Sequence, residues 1–400
     1  MRSLAVYAAR DDKHCSMRIL IAPDKFKGSL GAREVADCIA AGLREVLSAA
    51  TIEIVPVADG GEGTADVISQ ACAGEWVNCD AHDALGRAIT ARYLWLRDKI
   101  TAVLEMSEAA GGWRIASHER DPLCANTFGV GEMMKDAARR GAKEILIGLG
   151  GSATNDGGFG LARALGFRFY ASISIVNYLL TRLRTGKRLD APELNGPVSD
   201  LQMLERIESG KSLSLPRIVA AADVRNPLLG PRGATRTFGR QKGGTPEQLE
   251  ILERALALLA DVVARDLGCD FRDAAGAGAA GGLGFGLMSF CGATIRPGFD
   301  LVAEMLDLEA AIQRTDVVIT GEGSLDDQTL EGKAPAGVAR LARKLGKRVF
   351  AIVGCASERA AREVFDGVFV LAKAPVTREE SMARPAELLR ERARELGAML

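Results

Sequence analysis

The sequence predicts an α/β protein with two domains. A chain of 400 residues is longer than a single hydrophobic core usually supports. Apolar runs are repeatedly followed by a glycine-rich polar loop and then by a stretch of helical periodicity, which is the order of a βαβ unit. The 45 glycines are concentrated in those loops. In open parallel sheets such loops, at the carboxyl ends of the strands, bind ligands.

Composition excludes several classes of function. The net charge is −1 and aromatic residues make up only 5% of the chain, so we expect no surface for nucleic acid or for an anionic membrane. No apolar run reaches the roughly 18 residues of a membrane-spanning helix. The eight cysteines form no C-x-x-C pair and most lie in apolar helical or strand-like stretches, which indicates reduced, buried cysteines in a cytoplasmic protein. With three scattered histidines, any metal is expected to have oxygen ligands, as Mg²⁺ does.

The first βα unit begins at Met17. Residues 17–22 read as a buried strand and residues 31–47 as an amphipathic helix. The loop between them carries Asp24, Lys25 and Lys27 at a strand end. Residues 1–16 are expected to be a disordered extension or a consequence of start-site choice, because Met17 directly precedes the strand.

The second unit carries acids in its loop. A strand over 52–55 leads to residues 59–64, where Asp59 and Glu62 stand among three glycines, and a helix follows from Ala65. Thr64 is expected to cap that helix. Two acids are more than a turn needs, which favours a base or a metal ligand.

The central stretch is 145–160. An apolar strand ends in a loop of five glycines interleaved with Ser152, Thr154, Asn155 and Asp156. Glycines let backbone N–H groups approach an anion, so a phosphate-handling loop is one interpretation. A glycine-rich turn between two buried elements is the other. Before this stretch we expect a strand over 100–106 and a helix from 126 to 141, with residues 75–125 otherwise less regular.

The last third again alternates strands and helices. Strands are predicted over 217–222, 316–320, 349–353 and 367–371, and helices over 246–267, from Lys333 and over 385–400. Residues 276–281 match G-x-G-x-x-G, but the segment before them is not a convincing strand. A tight loop packed near a ligand is therefore preferred to a dinucleotide site. Residues 170–215 are assigned no chemistry.

Three strand ends share one pattern, in which an apolar run is followed by glycines with acids and hydroxyls. They are residues 59–64, 148–158 and 321–329, and Lys27, Lys242 and Lys333 stand in nearby loops. No G-x-x-x-x-G-K-[ST] motif occurs. Acids, lysines and glycine loops without histidine suit phosphoryl transfer, which depends on positioning and on charge neutralisation.

At these residues the chain resembles the bacterial glycerate kinases of the two-domain type, which include enzymes of the glucarate and glyoxylate pathways. The matching blocks run in order from residue 17 to about 380. They are Ala22-Pro-Asp-Lys-Phe-Lys-Gly-Ser29, Ala58-Asp-Gly-Gly-Glu-Gly-Thr64, Gly148-Leu-Gly-Gly-Ser-Ala-Thr-Asn-Asp-Gly-Gly158, Asp223-Val-Arg-Asn-Pro-Leu-Leu-Gly230, Phe238-Gly-Arg-Gln-Lys-Gly243, Gly278-Ala-Ala-Gly-Gly-Leu-Gly284, Thr320-Gly-Glu-Gly-Ser-Leu-Asp326 and Gly332-Lys-Ala-Pro335.

The resemblance implies a fold and an activity. A Rossmann-like parallel-sheet domain would be built from both chain ends, residues 17–85 and 295–400, with a second α/β domain, 86–294, inserted and the active site in the cleft. The implied reaction is ATP- and Mg²⁺-dependent phosphorylation of D-glycerate, giving 2-phosphoglycerate in preference to 3-phosphoglycerate. The partners are then small molecules, and a homodimer is compatible with the sequence.

Roles for single residues follow as hypotheses. Asp59 and Asp156 are the candidate bases, with Lys27 as a catalytic cation, and Glu322 and Asp326 are the candidate Mg²⁺ ligands. Substrate or phosphate contacts are expected from a larger set: Lys25, Glu62, Thr64, Gly150, Gly151, Ser152, Asn155, Asp223, Asn226, Lys242, Ser324 and Lys333.

Three alternatives stay open. The segment Gly148–Ala153 also resembles the phosphate loop of the galactokinase and homoserine kinase group. A nicotinamide-dependent oxidoreductase could use residues 276–281. A nucleotide-binding regulatory protein without catalysis is the third, although it would not need so many acids.

Overall fold

The computed structural model describes residues 17–172, 191–210, 214–326, 333–357 and 364–400. The predicted extension over 1–16 lies outside this part of the chain, as do residues 173–190 and 211–213 of the poorly patterned stretch 170–215. The strands are β1 (Arg18–Ile21), β2 (Thr51–Ile54), β3 (Glu75–His82), β4 (Ala88–Leu96), β5 (Thr101–Glu105), β6 (Glu144–Gly148), β7 (Arg168–Ala171), β8 (Leu204–Glu208), β9 (Arg217–Ala221), β10 (Thr294–Arg296), β11 (Val317–Thr320), β12 (Ser324–Leu325), β13 (Arg348–Val353), β14 (Cys355–Ala356) and β15 (Gly367–Val370).

The α-helices follow the predicted alternation with the strands. They are α1 (Ala32–Val46), α2 (Thr64–Ala71), α3 (Ser107–Ala110), α4 (Phe128–Arg139), α5 (Phe159–Ala164), α6 (Ala234–Phe238), α7 (Pro246–Leu267), α8 (Ala279–Cys291), α9 (Gly298–Met305), α10 (Leu308–Gln313), α11 (Ala334–Lys344), α12 (Arg378–Ala383) and α13 (Pro385–Gly397). Short 3₁₀ turns occupy Gly112–Arg114, Ser117–Glu119, Val198–Met203 and Arg240–Lys242. The predicted α/β class is confirmed.

The described residues form two compact units. The smaller contains residues 17–56, 309–326, 338–357 and 364–400, and the larger contains most of the rest, from Val57 to Leu308. The division of the chain lies at Pro56 and Leu308, whereas the sequence analysis places the boundaries at 85/86 and 294/295. Residues 75–96 belong to the larger unit because β3 pairs with β4, and β4 pairs with β5.

The smaller unit is built on a five-stranded sheet of order β15-β13-β11-β1-β2, and every pairing in it is parallel. Counted within the unit, this is the order 2-1-3-4-5 of doubly wound proteins, not the 3-2-1-4-5-6 order of the Rossmann fold. The Rossmann-like detail of the prediction is therefore not confirmed. Its core joins α1 and α13 to the sheet through Ile19, Ile21, Val35, Ile39, Leu43, Leu388, Leu389 and Leu396.

The larger unit contains a six-stranded sheet of order β10-β9-β6-β5-β4-β3. Strands β10, β9, β6 and β5 are parallel, and β4 is antiparallel to both β5 and β3. The carboxyl ends of the four parallel strands therefore lie along one edge. A second core packs α7 against the antiparallel pair β7 and β8 through Phe169, Ile207, Leu252, Leu256 and Leu259.

Two predictions about surface and chemistry can be compared with the structure. No helix of the described residues is long and apolar enough to cross a membrane. The seven described cysteines are unpaired, but only Cys79 among them is buried and Cys124 is exposed. The expectation that most cysteines are buried is therefore wrong for the described residues.

Candidate active site

The loop over residues 59–64 lies across the carboxyl ends of β6, β9 and β10, and glycines make this approach possible. A β-carbon at Gly148 would lie 2.3 Å from the carbonyl oxygen of Gly60, and one at Gly298 would lie 1.9 Å from that of Asp59. One at Gly150 would lie 2.5 Å from the α-carbon of Gly61. No side chain fits at these distances, so the glycines let two backbones meet at this edge.

The start of α2 is held by Glu105, the last residue of β5. Its carboxylate accepts the N–H of Gly63 at 3.0 Å and that of Ala65 at 2.8 Å. A carboxylate at a helix N-terminus satisfies N–H groups that have no partner within the helix. The predicted cap at Thr64 is wrong: Gly63 is the capping residue, in the left-handed conformation with φ of 90°, and Thr64 is the first residue of the helix.

The carboxylates of Asp59 and Asp223 interact through their charges at this edge. Asp59 Oδ1 accepts the N–H of Gly61 at 3.1 Å, and Asp223 Oδ1, directly after β9, accepts the N–H of Gly298 at 2.8 Å. Burial and then the negative charge of Asp59 raise the pKa of Asp223 to about 7, with a further contribution from Asp300, although N–H bonds from Gly298 and Phe299 oppose the shift. Asp223 can therefore exchange a proton near neutral pH.

The glycine-rich loop after β6 is fixed to the segment that follows α3. Gly112 donates its N–H to the carbonyl of Gly151, and Ala153 donates to the carbonyl of Ala110, both at 2.9 Å. A β-carbon at Gly151 would lie 4.0 Å from Glu62 Oε2, so Glu62 and this loop are neighbours. Gly151 is exposed, and Gly150 and Ser152 are half-buried. The backbone of Gly150, Gly151 and Ser152, predicted to contact phosphate, is therefore accessible and lies beside the carboxylate of Glu62.

Asp156, by contrast, is fully buried. Its carboxylate accepts the N–H and the hydroxyl of Thr127, each at 2.8 Å, together with the N–H of Gly158 at 3.2 Å and that of Gly160 at 3.0 Å. Burial raises the pKa of Asp156, and these hydrogen bonds lower it. The carboxylate ties the loop to the starts of α4 and α5, and it has no exposure to solvent. We therefore revise its interpretation from base to structural anchor.

Asn155 and Lys242 are also buried beneath the glycine-rich loop. Asn155 is fully buried and donates its amide to Thr235 Oγ1 at 2.9 Å. Lys242 is 4% exposed, and its ammonium donates to the carbonyl of Thr154 at 2.6 Å. Both were predicted to contact substrate or phosphate, and the structure directs both side chains into the protein.

The G-x-G-x-x-G segment explains part of this packing. Gly276, Ala280, Gly281 and Gly282 all have positive φ, and a β-carbon at Gly281 would lie 2.0 Å from the carbonyl oxygen of Thr154. Within the described stretch 214–326, no strand lies between β9 and β10. The segment is a tight loop packed against another backbone and lacks the strand that a dinucleotide fingerprint requires. That a ligand lies near it stays a prediction.

The smaller unit has its own group of predicted residues. The N–H of Asp24 donates to the carbonyl of Gly321 at 2.8 Å, which joins the loop after β1 to the loop after β11. The strand order reverses between β1 and β11, and open α/β sheets bind ligands at such a point. Glu322 is buried there, Lys25, Ser324 and Asp326 are half-buried, and Lys27 is exposed. Ser324 lies in β12 and its Oγ is 3.3 Å from Cys355 Sγ.

Two predicted residues stand apart from these groups. Asn226 donates its amide to the carbonyl of Arg232 at 2.7 Å and so shapes a turn. Lys333 directly precedes α11, next to residues outside the described part of the chain.

Sequence reasoning missed Glu105. The signal in the sequence is an acidic residue at the end of an apolar strand, outside any glycine-rich loop.

The described residues contain no group of three or more His, Cys, Asp or Glu side chains that could hold a metal ion. Mg²⁺ usually keeps several waters and binds through one or two carboxylates together with substrate phosphates. Glu322 and Asp326, the candidate ligands, offer carboxylate oxygens, which is the donor type that Mg²⁺ binds.

The geometry defines a class of protein. Acidic side chains and accessible glycine backbone stand at the carboxyl ends of parallel strands, which is where α/β enzymes bind small molecules.

Comparison with known proteins gives the family. The profile of the glycerate kinase family matches residues 19–400, and the chain belongs to that family. It is 38% identical to the glycerate kinase of Bacillus subtilis (strain 168), covering 96% of this chain and 98% of the relative. It is 40% identical to the glycerate 2-kinase of Escherichia coli (strain K12), covering 84% and 85%. A solved structure provisionally assigned as glycerate kinase 2 of Salmonella typhimurium LT2 superposes with a TM-score of 0.78 at 40% identity, covering 96% of this chain and 98% of that one. The predicted kinase class is confirmed.

Proposed function

We propose that the protein transfers the γ-phosphoryl group of ATP to the 2-hydroxyl of D-glycerate, giving 2-phosphoglycerate and ADP. The observation that carries the proposal is the Asp59–Asp223 pair beside accessible glycine backbone, in a chain of the glycerate kinase family. The choice of the 2-hydroxyl rests on the 40% identity to a relative named glycerate 2-kinase.

In this proposal Asp223 is the general base. A base works best when its pKa is near the operating pH, and burial with the charge of Asp59 brings the pKa of Asp223 to about 7. Asp223 accepts the proton of the glycerate hydroxyl as that oxygen attacks the γ-phosphorus and the bond to the leaving ADP oxygen breaks. Asp59, the earlier candidate, keeps the Asp223 pKa high.

The glycine-rich loop supplies donors in the same proposal. Backbone N–H groups at Gly150, Gly151 and Ser152 contact the substrate phosphate or carboxylate, and Glu62 and Thr64 orient hydroxyl groups. Lys25, Lys27, Ser324 and Lys333 contact the nucleotide phosphates. Bound Mg²⁺, for which Glu322 and Asp326 are the candidate ligands, would neutralise charge on the phosphates.

The test is direct. Protein is mixed with ATP, Mg²⁺ and D-glycerate, and ADP is measured together with the phosphorylated product. Enolase consumes 2-phosphoglycerate and not 3-phosphoglycerate, so coupling to enolase separates the two products. ADP release that depends on D-glycerate and Mg²⁺, with an enolase-competent product, supports the proposal, and its absence overturns it.

The alternatives need separate readouts. ADP formed with galactose or homoserine, and not with D-glycerate, would favour the other kinase group. A change in NADH fluorescence on titration would favour an oxidoreductase, for which the missing strand before residues 276–281 is an unfavourable observation.

A further inference from the structure

We propose that Lys242 is a positioning residue for the glycine-rich loop and does not contact phosphate. Its buried ammonium donates a hydrogen bond to the carbonyl of Thr154. Only the kinetic test of this inference rests on the proposed function. Lys242 lies in the 3₁₀ turn Arg240–Lys242, whose basic sequence otherwise indicates an anion site.

The Lys242 side chain points into the protein. Lys242 is 4% exposed, and its ammonium is 2.6 Å from the Thr154 carbonyl oxygen. A lysine that neutralises a phosphate must reach solvent or the bound ligand. This ammonium instead ends on backbone that is buried, since Thr154 and Asn155 are both 0% exposed.

Three successive residues of the glycine-rich loop are each hydrogen-bonded to a different partner. Lys242 holds Thr154, Thr235 holds Asn155, and Thr127 holds Asp156. Thr235 and Lys242 come from the same short segment, Ala234–Lys242, so that segment supports the loop as a unit. The accessible residues 150–152 lie immediately before these anchors.

The other side of the same carbonyl is closed by backbone. A β-carbon at Gly281 would lie 2.0 Å from the Thr154 oxygen, so the backbone of the G-x-G-x-x-G loop closes that side. The Thr154 carbonyl is thus confined between Gly281 and the ammonium of Lys242. Loss of the ammonium leaves this buried oxygen without its charged donor, and the loop shifts.

The experiment compares Lys242→Met with the matched control Arg240→Met, which removes an exposed cation from the same turn. For K242M we expect kcat to fall about 10- to 100-fold, as a misplaced active-site loop would cause, while the KM for ATP changes less than about threefold. Lys242→Arg should not restore kcat, because the larger guanidinium does not fit the buried site. A raised KM for ATP that Arg restores would overturn the proposal.

Amide hydrogen exchange provides a readout independent of glycerate turnover. Peptides covering residues 154–161 should exchange at least about tenfold faster in K242M than in wild type or R240M. Unchanged exchange would overturn the proposal. If the wild type proves inactive on D-glycerate, the proposed function fails while this readout still decides the role of Lys242.

Amine labelling of the wild-type protein covers the case in which K242M does not fold. With an acetylating reagent and no ATP, exposed Lys27 should be modified. Lys242 should stay unmodified both with and without ATP. Modification of Lys242 that ATP prevents would overturn the proposal.

Discussion

Asp156 and Asp223 are carboxylates after neighbouring parallel strands, yet their surroundings give them different chemistry. Asp156 accepts four hydrogen bonds and is fully buried, so its oxygens are occupied by the protein's own donors. Asp223 is half-buried and accepts the N–H of Gly298 while it faces the charge of Asp59. Both are aspartates in loops after parallel strands, and nothing in the sequence shows which one is buried among donors, so the choice of base depended on tertiary contacts.

Replacing Asp156 by Asn tests the anchoring role. The amide nitrogen cannot accept the N–H groups that the carboxylate accepts, so we expect the free energy of unfolding to fall by about 2–4 kcal/mol. Urea denaturation followed by circular dichroism measures this. Asp80→Asn, at an exposed carboxylate of β3, should change stability by less than about 0.5 kcal/mol. Equal stability of D156N and D80N would contradict the anchor.

Replacing Asp223 by Asn tests the base. We expect kcat to fall about 10²- to 10⁴-fold, because the general base is lost. In the wild type, kcat/KM should rise with pH through about 7 as Asp223 loses its proton.

The matched control for this prediction is Asp300→Asn. Asp300 is exposed and its charge raises the pKa of Asp223, so D300N should keep its turnover and shift the acid limb to lower pH. Asp59→Asn should shift the same limb further. If D59N abolishes turnover while D223N retains it, Asp59 is the base and the assignment is reversed.

At the scale of elements, long periodic stretches were predictable from sequence and half-buried strands were not. The helix predicted over 246–267 is observed as Pro246–Leu267, because its apolar period and the Thr245 cap agree. Strands β3 and β4 were missed. Along β3, Val77, Cys79 and Ala81 are buried while the residues between them are exposed. The alternation is present, but cysteine and alanine make it a weak signal, and β3 is placed in the sheet by its pairing with β4.

The start of α2 carries a prediction at the same scale. Glu105→Gln weakens two charge-assisted hydrogen bonds to Gly63 and Ala65, so we expect a loss of about 1–2 kcal/mol in stability and a raised KM for glycerate, since residues 59–64 lose their anchor. Stability is measured by urea denaturation and KM by the ADP assay. Glu75→Gln, which removes an exposed ion pair with Arg97, should cost less than about 1 kcal/mol and leave KM unchanged. If both variants behave alike, Glu105 is not an anchor.

At the scale of the whole molecule, acidic and hydroxyl side chains lie in loops at the strand ends of two sheets. This pattern of strand followed by polar glycine-rich loop was predictable from the sequence. The class and the family followed from ordered motifs along the chain. The strand order 2-1-3-4-5 of the smaller unit could not be predicted from the sequence. Each strand is a short apolar run, and its residues do not show which other strand it pairs with. The burial of Lys242 was hidden for a similar reason, since a lysine among glycines resembles a phosphate ligand whichever way it points.

Asp223 and Lys242 together predict how stability depends on pH. The folded-state pKa of Asp223, about 7, lies above its ordinary value of 3.8, so its contribution to stability is present at low pH and is lost as pH rises towards 7. Burial lowers the pKa of Lys242 to about 7 from its ordinary 10.5, so its contribution is present at high pH and is lost as pH falls towards 7. Both groups therefore favour a minimum of stability near neutral pH.

Each pKa differs from its ordinary value by about 3 units, so each limb of the profile should amount to at most about 4 kcal/mol, relative to a reference protein without the two groups. We expect Asp223→Asn to remove the fall between pH 4 and 7, and Lys242→Met to remove the rise between pH 7 and 10. Urea midpoints from pH 4 to 10 for the wild type, each single variant and the double variant measure the two limbs separately. A wild-type profile that the substitutions leave unchanged would show that neither group changes its proton affinity on folding. Loss of one limb only, in the matching variant, would assign the pH dependence to that residue, because the two groups titrate on opposite sides of neutrality.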